Sequence, residues 1–116
     1  MMEFLDFLKH KAAYVAIGEF KSGKFEEAEL LFEKAVSTYQ HGFKGAYLLR
    51  EPGTDKGIAV ILWNDIADME ANKNEAHQAI LEKMSHLFLQ APETSIYEVC
   101  SEIKGSKAQE GLLVEV

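Results

Sequence analysis

Histidine is the side chain best suited to move a proton near neutral pH, and this chain has four, at positions 10, 41, 77 and 86. Their spacing contains no His-x-x-x-His pair and no paired cysteines, so no metal site is expected, because a metal needs clustered ligands. His77 alone shares a stripe with apolar residues: Leu81, Met84 and Phe88 follow it at steps of four, three and four. On a helix that phase turns the imidazole of His77 inward and leaves His86 on the opposite side. An inward, neutral imidazole can serve as a general base or a ligand. The same placement also suits a core or interface histidine.

Other side chains can build a pocket around such a base. Trp63 closes an apolar run, where its ring either packs in the core or forms a wall that stacks on a planar ligand. Met84 and Phe88 belong to the His77 stripe and can line the same space. Tyr14 and Tyr97 lie on strand-like segments and can offer hydroxyls to that cavity or to an interface. The single cysteine, Cys100, sits in a strand-like run and reads as a small buried apolar group. There is no Gly-rich phosphate loop and no recognisable Ser/His/Asp signature.

These side chains need elements to hold them. Residues 2–11 place Phe4, Phe7 and Leu8 at helical spacing, which predicts a short amphipathic helix outside the core fold. Residues 12–20 alternate as a strand, with Tyr14, Ala16, Gly18 and Phe20 on one face and Ala13, Val15 and Ile17 on the other. A helix follows from Phe25 to Tyr39, its acidic start at Glu26, Glu27 and Glu29 matching the positive end of the helix dipole. Two apolar runs, 46–50 and 58–63, flank a turn-rich stretch and predict an antiparallel hairpin. Asn64 or Asp65 can cap a short helical turn, a longer helix spans 75–90 until Pro92 ends it, and a last strand covers 95–103. Residues 104–116 form a tail whose short apolar end can add a strand.

Length and composition agree with one domain. A chain of 116 residues holds a single core, and its 47% apolar and 27% charged content argues against a disordered, fibrous or membrane class. No apolar run approaches a membrane span, and Glu3 and Asp6 interrupt any secretory h-region, so a cytoplasmic location is expected. Nineteen acidic against twelve scattered basic residues give a net charge of −7, which disfavours nucleic acid as a partner.

The order βαββαβ builds an α+β, ferredoxin-like fold, a four-stranded antiparallel sheet with both helices on one face. The other face should then be polar, yet strands 12–20 and 58–63 are apolar on both sides. A second copy packed sheet to sheet would bury on the order of 1,000–2,000 Å², so a homodimer is expected.

The run Gly42-Phe43-Lys44-Gly45 opening the second strand, the third strand Gly57-Ile-Ala-Val-Ile-Leu-Trp63 and a helix entered near His77 resemble the antibiotic biosynthesis monooxygenase superfamily over residues 12–103. The resemblance implies a dimeric α+β barrel with a pocket for a hydrophobic or aromatic small molecule. It also implies, among other activities, oxygenation with no cofactor, in which His77 would be the catalytic base. The haem-degrading branch of that superfamily carries a second tryptophan in the turn after the third strand. Here the corresponding position is near Asn72, which argues against haem chemistry. A non-catalytic dimeric binding or interaction protein, its interior filled by side chains, is the second reading. An open cavity reaching both Trp63 and His77 favours the first.

Overall fold

The computed structural model describes residues 10–105. The expected N-terminal helix (1–11) and C-terminal tail (104–116) fall almost wholly outside the described residues. Within them the elements are β1 (Ala12–Glu19), α1 (Phe25–Ser37), β2 (Phe43–Arg50), β3 (Lys56–Trp63), α2 (Ile66–Ala71), α3 (Glu75–Ser85) and β4 (Glu93–Glu98). The strands form one sheet in the order β2-β3-β1-β4, with every neighbouring pair antiparallel. This is the ferredoxin-like βαββαβ fold, with its second helical segment in two pieces.

Each helix start has a local cause. The Asp65 side chain accepts the Asp68 N–H and caps α2, and Asn74 accepts the His77 N–H at 2.9 Å and caps α3. Helix α1 has no side-chain cap but carries Glu26 and Glu27 in its first turn. It stops at Ser37, and Gly42 (φ +85°) turns the chain into β2 with its α-carbon against the Asp68 side chain. That close approach leaves no room for a β-carbon.

Two element ends differ most from the sequence reading, those of α3 and β4. Helix α3 stops at Ser85, not near Gln90, because the following residues bond to the end of β1: Lys21 N–H to the Leu87 carbonyl (2.7 Å) and Leu89 N–H to the Glu19 carbonyl (2.9 Å), around a bridge between Phe20 and Phe88. Leu87 and Phe20 are thereby buried together. Strand β4 begins at Glu93 and its ladder with β1 ends at Glu98, after which a single bond from Val99 N–H to the Lys11 carbonyl remains. Cys100, expected to be buried in that strand, lies beyond it and is exposed.

The register places Tyr14 opposite Ile61 and Gly18 opposite Gly57, side chains toward the helices. The glycine pair keeps the sheet low there. A β-carbon on Gly18 would come within 2.7 Å of the Phe88 ring, and one on Gly57 within 3.0 Å of the Phe25 ring. Phe20 stacks on Phe88 (4.4 Å between centroids) and meets Phe25 edge-on (5.4 Å) above this floor. A second cluster gathers Ile61, Trp63 and Met69 at the other end. The opposite sheet face carries Ile17, Tyr47, Leu49 and Tyr97, each about half exposed or more, beside Val15 and Val60. No helix among the described residues is long and apolar enough to cross a membrane.

Candidate functional site

The last strand residue, Trp63, is 2% exposed, and two helix ends converge on it. Tyr39 follows the last turn of α1, its N–H bonded to the Val36 carbonyl at 3.0 Å. Its ring meets Trp63 edge-on at 4.7 Å and lies 5.2 Å from the His77 ring, which enters from the first turn of α3. The Tyr39 hydroxyl and His77 Nε2 are 2.8 Å apart.

Asn72, also buried, fixes this meeting. Its amide nitrogen donates to the carbonyls of His41 (3.0 Å) and Asp68 (2.7 Å), and its amide oxygen accepts the Gln40 N–H (2.7 Å). One side chain thus ties the α1–β2 turn that carries Tyr39 to the α2–α3 segment that carries His77. Its bonds meet backbone groups of the α1–β2 turn and of α2, so its amide is satisfied at both ends.

Burial sets the charge states. The Tyr39 phenol is pushed up to about 12, by desolvation first and then by the nearby Tyr14, so it keeps its proton. Desolvation, followed by the positive field of Lys73, lowers the pKa of His77, so its ring is neutral at neutral pH. His77 Nδ1 is buried with no hydrogen-bond partner among the described residues. The pair is therefore an uncharged phenol and an uncharged imidazole sharing one proton-bearing contact.

Two adjoining cavities lie between the helices and the sheet, each about 230 Å³. The first is walled mainly by apolar groups, among them Ala16, Leu48, Ala59, Met84 and Phe88. The second reaches Trp63, Lys73, His77 and Gln78. They share Tyr14, Tyr39, Ile61 and Leu81 as walls. An apolar space with a few convergent polar groups at one end is the usual form of a small-molecule site.

Of the residues singled out in the sequence, His77, Trp63, Tyr14, Met84 and Phe88 are brought together around these cavities. Tyr97 is not. It pairs with Ala13 on the opposite sheet face and is 55% exposed, and it is its neighbour Ile96 that pairs with Tyr14. Strand alternation tells which residues share a face but not which face meets the helices. The participants not singled out are Tyr39, Lys73 and Gln78. Tyr39 was visible only as the last member of the α1 stripe. No group of three or more potential metal ligands gathers among the described residues. His41 is at the surface, and His10 bonds Glu98 at 2.7 Å.

No protein-family model matches the chain, and no curated protein matches it in sequence. Solved structures do match. The cofactor-independent oxygenase SnoaB from Streptomyces nogalater superposes with a TM-score of 0.72 at 17% identity, over 83% of this chain and 99% of that one. An antibiotic biosynthesis monooxygenase aligns at 0.66 and 11%, over 78% and 99%. A conserved protein from Methanosarcina mazei Go1 aligns at 0.70 and 15%, over 81% and 97%. At these identities the likeness is one of fold: the chain has the antibiotic biosynthesis monooxygenase fold that the Gly42–Gly45 and Gly57–Trp63 segments suggested.

Proposed function

We propose that this chain belongs to the antibiotic biosynthesis monooxygenase superfamily, and that as a homodimer it binds a flat hydrophobic small molecule and oxygenates it without a cofactor. The observation that carries the reading is a pair of adjoining cavities, one apolar and one reaching Trp63 and His77, with Tyr39 as a shared wall. A planar substrate lies against Tyr14 and Trp63, with an oxygen substituent toward the Tyr39 hydroxyl. When that hydroxyl turns to the substrate, His77 Nε2 is released to take a proton from an acidic ring methylene. The phenol then donates to the resulting enolate oxygen. The substrate supplies the electrons, so that a methylene and O2 give a carbonyl and water. Apolar walls keep bulk water from the carbanion.

The apolar sheet face supports the dimer. Ile17, Tyr47, Leu49, Val60 and Tyr97 form a patch that a monomer in water rarely leaves open. A second copy, face to face, covers it with an interface of ordinary size.

One observation favours a second reading, binding without chemistry: in the resting arrangement Nε2 is engaged by Tyr39 and Nδ1 is buried. Anthrone, a tricyclic ketone with an acidic methylene, separates the two. With a chelator present, an oxygenase consumes O2 in step with carbonyl formation and loses this in His77→Ala. Saturable binding with no O2 uptake above the protein-free rate leaves the binding reading standing and removes the oxygenase.

A further inference from the structure

The chain has nineteen acidic residues and a net charge of −7, yet among the described residues no aspartate or glutamate lines either cavity. The one formally charged wall residue is Lys73, at the same end as Trp63, His77 and Gln78. The phenols of Tyr14 and Tyr39 and the amide of Gln78 stand near it and can each donate a hydrogen bond, Tyr39 once its hydroxyl leaves His77. Asn72, the remaining polar neighbour, has its amide committed to the backbone. Among the described residues Lys73 pairs with Glu70 alone, at 3.1 Å, and both side chains are about half exposed. An exposed pair of this kind holds its partners weakly, so the ammonium is available to a ligand.

We propose that the ligand of this site is a flat apolar organic anion, its ring system against Tyr14 and Trp63 and its charged end against Lys73. The inference rests on the small-molecule reading above and adds the charge of the molecule and the residue that selects it. A chain with this excess of carboxylates repels anions over most of its surface. The cavity's own walls carry no carboxylate and end at one lysine, whose acidic neighbours Glu70, Glu75 and Glu82 lie on its outer side, so an anion is favoured inside. A neutral ligand of the same shape gains the apolar contacts but leaves the ammonium to its exposed partner Glu70.

The test uses two probes of one shape, 2-naphthoate and neutral 2-naphthamide, titrated calorimetrically into the full-length protein. Quenching of Trp63, the single tryptophan, reports occupancy of the cavity. Naphthoate should bind about tenfold more tightly than naphthamide at low salt, with the margin shrinking as salt is raised. Lys73→Gln should remove most of that margin and leave naphthamide unchanged, and Lys73→Glu should reverse it. Equal affinities in the wild type, or a loss in Lys73→Gln shared by both probes, would overturn the inference while leaving a small-molecule site in place. Failure of both probes to bind or to quench Trp63 would overturn the small-molecule reading as well.

Discussion

The hydroxyl of Tyr39 lies 2.8 Å from Nε2 of His77, although the two residues are 38 positions apart and stand at the ends of different helices. The contact joins the C-terminal end of α1 to the first turn of α3 directly above Trp63. Because both rings are kept neutral by burial, it brings no charge into the core, and it gives one ring nitrogen a partner that solvent does not supply.

Removing one side of this bond should cost more than removing both. Tyr39→Phe leaves both nitrogens of a buried imidazole without partners, for an expected loss of about 1–3 kcal/mol in urea denaturation. His77→Leu leaves the phenol unpaired at a similar cost. The double variant should fall well short of the sum, giving a coupling energy on the order of 1 kcal/mol. Strict additivity would mean that the bond contributes nothing.

The pH dependence carries a sign. His77 titrates lower in the folded protein than its ordinary value, so between the two the unfolded chain binds the extra proton. Its contribution is complete above the unfolded pKa of about 6.5 and is lost as pH falls toward the folded value. Tyr39 does the converse: its raised pKa contributes stability that is present below about 10 and is lost as pH rises toward about 12. Urea midpoints measured from pH 7.5 to 5 should fall less steeply in His77→Phe. Phenolate absorbance near 295 nm should show a late-titrating tyrosine that vanishes in Tyr39→Phe.

Much of this site was legible in the sequence because periodicity reports orientation within an element. The steps from His77 to Met84 place the imidazole inward, and the run into Trp63 places the indole in the core, and both rings are buried, whereas Phe88, read as the next member of that stripe, lies beyond the end of α3. What periodicity does not report is how elements meet. Tyr39 reads as one more apolar residue of the α1 stripe until α3 is laid beside it. Tyr97 falls on the far face because its register with β1 is set by the pairing of Tyr14 with Ile96. The early end of α3 has the same origin, since its last residues bond better to the open end of β1 than to their own helix.

The paired glycines under the phenylalanine cluster should be intolerant of side chains. Gly18→Ala sets a methyl 2.7 Å from the Phe88 ring, and the neighbouring Phe20 stack resists its retreat. We expect a loss of about 1–3 kcal/mol, seen as a lower denaturation midpoint with unchanged slope. The stack should suffer less in Gly18→Ala when Phe88 is shortened to Leu.

The dimer is testable on the open sheet face. Val60 pairs with Val15 and Tyr47 at the middle of that face. Val60→Asp should therefore sediment as a folded monomer at micromolar concentration, since its charge stays in water once the partner leaves. A wild type that is already monomeric there would remove the dimer.

The last prediction concerns haem, the substrate of the haem-degrading branch of the superfamily that the sequence resembles. Ligation needs a neutral imidazole with a free nitrogen facing a dry space wide enough for a porphyrin. His77 is neutral, but its Nε2 is held by the Tyr39 hydroxyl and its Nδ1 is buried, so binding iron would first break a satisfied contact. The position near Asn72, where the haem-degrading branch carries its second tryptophan, is held by three hydrogen bonds in the clamp between the α1–β2 turn and α2. Neither 230 Å³ cavity accepts a porphyrin without parting α1 from α3. Added haemin should therefore give no sharp Soret shift, and His77→Ala should leave its spectrum unchanged. A shift that saturates at one haem per chain and disappears in His77→Ala, with Tyr39→Phe sharpening it by freeing Nε2, would reverse this judgement and place iron against the ring nitrogen that Tyr39 now occupies.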